Sequence, residues 1–118
     1  MVVMNVDDSL SMRKIVTLAL KGAGYTVLEA DNGEDALSKL TASPVDLFIV
    51  DINMPVMNGI DFIKKIKSNP SYASKPIIIL TTEFEEDKKK EGLALGANDW
   101  ILKPFQKEKL LETIKKLS

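Results

Sequence analysis

A chain of 118 residues, 45% apolar and 28% charged, is long enough for one domain with a real core and too short for two. Lys and Arg number 16 against 17 Asp and Glu, and the net charge of −1 argues against a dedicated nucleic-acid binder. Histidine and cysteine are both absent, which excludes disulfides, thiolate metal sites, a Cys nucleophile and a Ser–His triad. Any chemistry must come from carboxylates, lysine, hydroxyls and backbone groups.

In chain order, the apolar run Val2–Val6 reads as a strand, with the polar Asn5 inside it. Met12, Ile15, Val16, Ala19 and Leu20 then repeat at helical spacing, and Gly22 and Gly24 follow where a helix should stop. Tyr25–Glu29 is the second predicted strand. Asn32 can cap the next helix, which carries Ala36, Leu37 and Leu40 and is followed by Pro44. Asp46–Val50 is a third strand, and Asn58-Gly59 opens a helix with Ile60, Ile63 and Ile66 that the Asn69-Pro70 loop ends. Pro76–Leu80 is a fourth strand and Lys88–Leu95, closed by Gly96, a shorter helix. Asp99–Leu102 and Lys107–Leu117, the latter with Leu110, Leu111, Ile114 and Leu117, complete the pattern.

The runs Leu47-Phe48-Ile49-Val50 and Ile77-Ile78-Ile79-Leu80 are continuous rather than alternating, as strands covered on both faces should be. Five alternations of strand and helix imply an α/β fold: a parallel sheet with right-handed crossovers and helices on both faces. The doubly wound order 2-1-3-4-5 is the natural choice. A single domain over residues 1–118 is expected, with no output domain. No apolar run approaches the roughly 20 residues that span a bilayer. Met1–Asp8 lacks a basic segment and turns acidic too soon for a signal peptide, so a cytoplasmic protein is expected, without membrane or direct nucleic-acid contact.

In doubly wound folds the ligand sits beyond the carboxyl ends of the strands, where strand order reverses. The first strand ends in Asp7-Asp8, the third in Asp51, the fourth in Thr81-Thr82 and the fifth in Lys103-Pro104. The second ends in Glu29-Ala30-Asp31 and adds nothing obvious. Clustered carboxylates repel and need a cation at neutral pH. Oxygen donors suit Mg²⁺, which keeps several waters and takes only one or two carboxylates directly. Lys103 adds a fixed positive charge, and the Thr81 hydroxyl and nearby N–H groups can bind further oxygens. A carboxylate beside Mg²⁺ and an ammonium is arranged to receive a phosphoryl group, since that transfer runs on positioning and charge neutralisation.

Singly, most of these residues have plainer explanations. Asp7 and Asp8 could be a helix cap and a first-turn acid, Thr81 and Thr82 ordinary strand-end residues, and Lys103 a solvated lysine. Lys88-Lys89-Lys90 reads as an exposed helix face offset by Glu85, Glu86 and Asp87. Asp51 has no such excuse, because an ionised carboxylate ending an apolar strand needs a partner. The plain explanations also leave the convergence on one sheet edge unexplained.

Val6-Asp7-Asp8-Ser9, the segment from Val50 to Gly59, Leu80-Thr81-Thr82 and Lys103-Pro104-Phe105 together resemble the signature segments of the response-regulator receiver family, in order and spacing. The resemblance covers essentially the whole chain and implies a flavodoxin-like (βα)5 fold. It also implies Asp51 as phosphoacceptor. Mg²⁺ would be held by Asp8, Asp51 and the Asn53 carbonyl, with Asp7 acting through water. Lys103 and Thr81 would bind phosphoryl oxygens, with Thr82 beside the switch threonine, and Lys103–Pro104 would be cis. Asn53 and Glu83, two residues after Asp51 and Thr81, are expected to tune phosphoryl lifetime. Trp100, the only tryptophan, is expected to report and gate the switched state. Asn5, Thr82 and Trp100 depart from the family's usual residues: an aliphatic, a small residue and a tyrosine or phenylalanine. A buried Asn5 would need a hydrogen-bond partner.

The resemblance implies a two-component switch, with chemotaxis regulators as the single-domain type. A histidine kinase or its phosphotransfer domain would be the donor. A downstream protein would dock on the face of Lys88–Leu95, Asp99–Lys103 and Lys107–Leu117. The chain is then not a turnover enzyme on an external substrate, although it would assist its own phosphorylation and dephosphorylation. A phosphatase or phosphotransferase with an aspartyl-phosphate intermediate is the rival from another class, but such enzymes usually carry an acid where Asn53 stands. A constitutive interaction protein on the same fold would not need the complete acidic set with Thr81 and Lys103.

Overall fold

The two unbroken apolar runs can be buried on both faces only if helices cover the sheet from either side, and the computed structural model shows that arrangement. It describes residues 1–40, 44–82 and 86–117. The elements are β1 (Val2–Val6), α1 (Leu10–Gly22), β2 (Thr26–Ala30), α2 (Gly33–Leu40), β3 (Leu47–Val50), α3 (Gly59–Lys67), β4 (Ile77–Thr81), α4 (Glu86–Ala94), β5 (Asp99–Leu102) and α5 (Lys107–Leu117). All neighbouring strands pair in parallel, in the order β2-β1-β3-β4-β5. This is the doubly wound flavodoxin-like order.

The pleat divides the core into two layers. Val3, Leu47, Ile49, Ile78, Leu80 and Ile101 meet Val16 and Leu20 of α1 and Leu110 and Ile114 of α5. Met4, Val6, Phe48, Val50, Ile77 and Ile79 meet Ala36 and Leu40 of α2, Ile60, Ile63 and Ile66 of α3, and Trp100 of β5. Asn32 and Asn58 accept the N–H groups of Asp35 and Asp61 at 2.8 and 2.9 Å, so both asparagines cap the helices assigned to them.

Three strands differ from the pattern by one residue at one or both ends: β2 and β4 are shifted by one residue and β3 starts one later. Tyr25 N–H donates to Leu20 O and closes α1, so β2 starts at Thr26. The Asp46 carboxylate accepts from Val2 N–H instead of joining β3. Strand β4 extends to Thr81.

A larger difference lies in α1, where Ile15, expected in the core stripe, is 52% exposed while Thr17 is 4% exposed. The cause is Asn5, which is 1% exposed in β1 on the α1 side of the sheet. Its Nδ2 donates to Arg13 O at 3.1 Å and to Thr17 Oγ1 at 3.4 Å. A buried amide without partners would cost about 1–3 kcal/mol, enough to decide which face of the helix turns inward. Helix α1 therefore leaves Leu10, Ile15 and Leu18 outward.

At the start of α3, Gly59 N–H donates to Ile52 O at 2.9 Å. A Cβ on Gly59 would collide with the Asp51 carbonyl oxygen and lie 2.9 Å from Ile52 Cα. The glycine is required by this close approach of helix to strand end. By contrast, a Cβ on Gly22, at the end of α1, would meet nothing within 4 Å. Gly59→Ala should therefore lose about 2–3 kcal/mol of stability through overpacking. Gly22→Ala should gain roughly 0.5 kcal/mol by restricting the unfolded chain. Urea denaturation of both variants checks the pair, and equal effects would contradict the packing argument.

Candidate functional site

The strand register carries the chemistry to one edge. Asp7 N–H donates to Ala30 O and Asp51 N–H to Val6 O, each at 3.0 Å, so the ladder on both sides of β1 continues into the acidic residues. Lys103 N–H donates to Thr81 O at 2.9 Å and continues the pairing of β4 with β5 in the same way. The groups meet where strand order reverses, between β1 and β3.

There, Asp7, Asp8 and Asp51 each present a carboxylate oxygen, all within 4.8 Å of one another. The Lys103 ammonium donates to Asp7 Oδ2 at 2.6 Å and to Asp51 Oδ2 at 3.2 Å. Asp7 Oδ1 accepts from Ser9 N–H at 2.9 Å, and Asp51 Oδ1 from Asn53 N–H at 3.4 Å. Asp7 and Asp51 are buried, while Asp8 is exposed. Asp8, Asp51, Asn53, Thr82 and Lys103 line one cleft of about 420 Å³, together with Met12 and Pro104. Thr81 is fully buried behind it. The Lys103–Pro104 peptide bond is cis. Glu83 lies outside the described residues.

Burial pushes the Asp7 carboxyl above its ordinary range, against the opposing pull of the Lys103 and Ser9 hydrogen bonds and the Lys103 charge. For Lys103 burial acts to lower the pKa, but the hydrogen bond to Asp7 and the charges of Asp51 and Asp7 raise it above the ordinary value. The ammonium is thus a permanent charge, and the site still carries more carboxylate than cation. The donors are all oxygens, as a hard divalent ion requires. Ligands on a common Mg²⁺ lie at most about 4.2 Å apart, so small side-chain rotations bring the acidic group into range. The residues present fit that ion.

Trp100 is buried on the same face of the sheet as Thr81. It pairs with Ile79, while Thr81 pairs with Leu102. Its ring lies beneath α4, where a Cβ on Gly92 would sit 3.3 Å from Trp100 Cζ3 and 2.7 Å from Ile79 Cδ1. The indole is already packed inward.

Two residues that sequence reasoning passed over stand next to this site. Arg13 of α1 donates from Nη1 to Asp7 O at 2.7 Å and from Nε to Glu29 Oε1 at 2.9 Å. Glu29, on the strand that seemed to contribute nothing, is thereby linked to the acidic loop. Its only signal was an arginine four residues before Thr17, on the flank of a helix facing a strand that contains Asn5.

The family model for the response regulator receiver domain matches residues 3–115. The chain belongs to that family. Chemotaxis protein CheY1 of Helicobacter pylori is 41% identical over 111 residues, which cover 92% of this chain and 90% of the relative. The phosphate regulon transcriptional regulatory protein PhoB of Pseudomonas aeruginosa is 37% identical over 110 residues, 93% of this chain. That match spans only 48% of PhoB, about half its length. Among solved structures, Vibrio cholerae chemotaxis protein CheY4 superposes with a TM-score of 0.93 at 44% identity, covering 99% of this chain and 98% of that one. This is therefore a receiver domain of the CheY type, a fold consistent with two-component signalling. Among the described residues, no helix of the receiver domain is long and apolar enough to cross a membrane.

The excess of negative charge has a measurable consequence. Asp51→Asn keeps the shape of the side chain and removes one of the mutually repelling carboxylates. Its stability in metal-free buffer should rise by about 1 kcal/mol, as is common where a functional site is relieved of strain. Added Mg²⁺ should raise the melting temperature of the native receiver domain clearly more than that of the variant. Thermal melts with and without Mg²⁺ decide it; equal metal responses would exclude Asp51 from the cation site.

Proposed function

We propose that this receiver domain is a phosphorylation-operated switch whose acceptor is Asp51. The observation that carries the reading is the Lys103 ammonium held between the Asp7 and Asp51 carboxylates, at 2.6 and 3.2 Å, beside the exposed Asp8. Asp8, Asp51 and the Asn53 carbonyl would hold Mg²⁺, with Asp7 contributing through water. Bound there, the ion supplies charge neutralisation for the phosphoryl oxygens. The chain's own groups do the rest. A carboxylate oxygen of Asp51 attacks phosphorus, the bond to the donor breaks, and the donor leaves with the electron pair. Lys103 and the Thr81 hydroxyl receive the oxygens of the transferred group.

The donor in this reading is a histidine kinase or its phosphotransfer domain, since the chain contains no histidine of its own. Release is hydrolysis of the acyl phosphate. Asn53, exposed at the cleft mouth, and Glu83 tune its rate. The domain assists both steps without turning over an external substrate. The relatives named as chemotaxis proteins support a role in that class of signalling. The partner face comprises α4, β5 and α5. A groove of about 430 Å³ lies there, with Trp100, Leu102 and Phe105 as apolar walls and Lys89 and Lys109 at its edges.

Acetyl phosphate with Mg²⁺ should add one phosphoryl group to the native chain, detected by intact mass. The adduct should be absent without Mg²⁺ and in Asp51→Ala. An undiminished adduct in Asp51→Ala would overturn the assignment.

The switch couples the site to that face through Thr81 and Trp100. A phosphoryl group on Asp51 attracts the Thr81 hydroxyl through a charge-assisted hydrogen bond, worth about 1.5–3 kcal/mol. A shift of Thr81 changes the packing of the indole, which is wedged against Gly92 and so moves with α4. Beryllofluoride with Mg²⁺ should change Trp100 emission in the native protein and not in Asp51→Ala. In Thr81→Ala the ion should still bind with a smaller response; a full response there would remove threonine from the coupling.

A further inference from the structure

We propose that Arg13, anchored by Glu29, is a positioning residue for the acidic loop, a role that rests on reading Asp7, Asp8 and Asp51 as a Mg²⁺ site. The argument starts from what must be held still. Asp7 N–H still joins the ladder through Ala30 O, but the peptide plane from Asp7 to Asp8 lies past the end of β1, where the sheet no longer fixes the backbone. The carbonyl of Asp7 belongs to the peptide plane that joins the two aspartates. Fixing that oxygen fixes the plane, and with it the directions in which both carboxylates leave the chain. Arg13 Nη1 donates to this oxygen at 2.7 Å.

An arginine can serve as such a clamp only if it is itself immobile. Three observations satisfy that condition. Its Nε donates to Glu29 Oε1 at 2.9 Å, which ties the guanidinium to β2. Its own carbonyl accepts from the buried Asn5 Nδ2 at 3.1 Å, which ties its backbone to β1. Its side chain is only 14% exposed. The planar fork spans carbonyl and carboxylate at once, a task for which an ammonium lacks the geometry. The acidic loop is thus held from outside the acidic site by a cation that touches neither Asp8 nor Asp51 among the contacts described.

Charge and position predict opposite signs, which makes the inference testable. Removing a nearby positive charge should, by electrostatics alone, tighten Mg²⁺ binding. Removing a clamp on ligand geometry should weaken it, typically by about 10- to 100-fold for groups that orient metal ligands. The experiment is calorimetric titration of Mg²⁺ alone into the full chain and its variants, with circular dichroism to confirm folding. Arg13→Met should weaken Mg²⁺ binding about tenfold or more. Arg13→Lys, which keeps the charge and loses the fork, should fall between Met and native, and serves on its own if the Met variant does not fold. Thr17→Val is the control for general loosening of α1: it removes a partner of Asn5 and should lower stability while leaving Mg²⁺ affinity unchanged. Folded Arg13 variants that bind Mg²⁺ as tightly as the native chain, or a Thr17→Val loss as large as that of Arg13→Met, would overturn the positioning role. A native chain that binds no Mg²⁺, or Asp51→Asn binding it equally well, would instead overturn the metal-site reading beneath it.

Discussion

A single ammonium held between two buried carboxylates is the constraint around which this molecule is organised. Lys103 reaches Asp7 and Asp51 from the far side of β4, so four strands, β1, β3, β4 and β5, must keep their register for the contact to exist. Removing the lysine would leave both carboxylates buried without their cation, a loss that commonly costs about 3–5 kcal/mol. The site is nevertheless unbalanced: three carboxylates cluster there, and the lysine pairs with two of them. Such an arrangement is poor for stability and well suited to binding cations and accepting charged groups. The continuous apolar strands β3 and β4 offset it, since they place Leu47–Val50 and Ile77–Leu80 wholly inside.

Much of this was legible in the sequence because the fold's signals are periodic and its site sits where topology demands. Continuous apolar runs separated by amphipathic stretches specify a parallel sheet, and strand-end residues then fall on one edge without further assumption. Asp51 could be singled out because an ionised carboxylate ending an apolar strand needs a partner, whereas Lys103 gained meaning only by converging with the acids on the same edge. Asn5 was legible as a problem: a strand residue with an amide must find partners if buried.

What could not be read was the solution to that problem. The periodicity of α1 fits either Ile15 or Thr17 inward, since both flank the Val16–Leu20 stripe. Hydrophobicity alone favours isoleucine. The preference reverses only once Asn5 is known to face α1, a fact about pairing across the sheet that no local window contains. The same long-range geometry hid Arg13 and Glu29, which are 16 residues apart and meet only because β2 and α1 both flank β1. Single-residue shifts at strand ends have the same origin. Asp46 and Thr81 are placed by hydrogen bonds to distant backbone groups, and Tyr25 by the closing turn of α1, rather than by their own propensities.

The two ends of the sheet are attached to their helices in unlike ways, and this asymmetry follows from the residues already discussed. Helix α1 is fastened beside the site by Asn5, Arg13 and Glu29, all through hydrogen bonds to fixed strand groups. Helix α4 has no comparable anchor among its described residues: only Gly92 is buried, pressed against Ile79 and Trp100. Elements with few buried apolar groups occupy the low-stability end of a fold and are the first to move. A change at the acidic edge therefore meets a rigid wall on the α1 side and a yielding one on the α4 side. Because Gly92 lies close over the indole, repacking of Trp100 on that side would press directly on α4. Rigidity at the acidic loop and looseness at α4 are complementary requirements of the proposed switch: the first would hold the geometry that receives a phosphoryl group, and the second would let its arrival alter a surface.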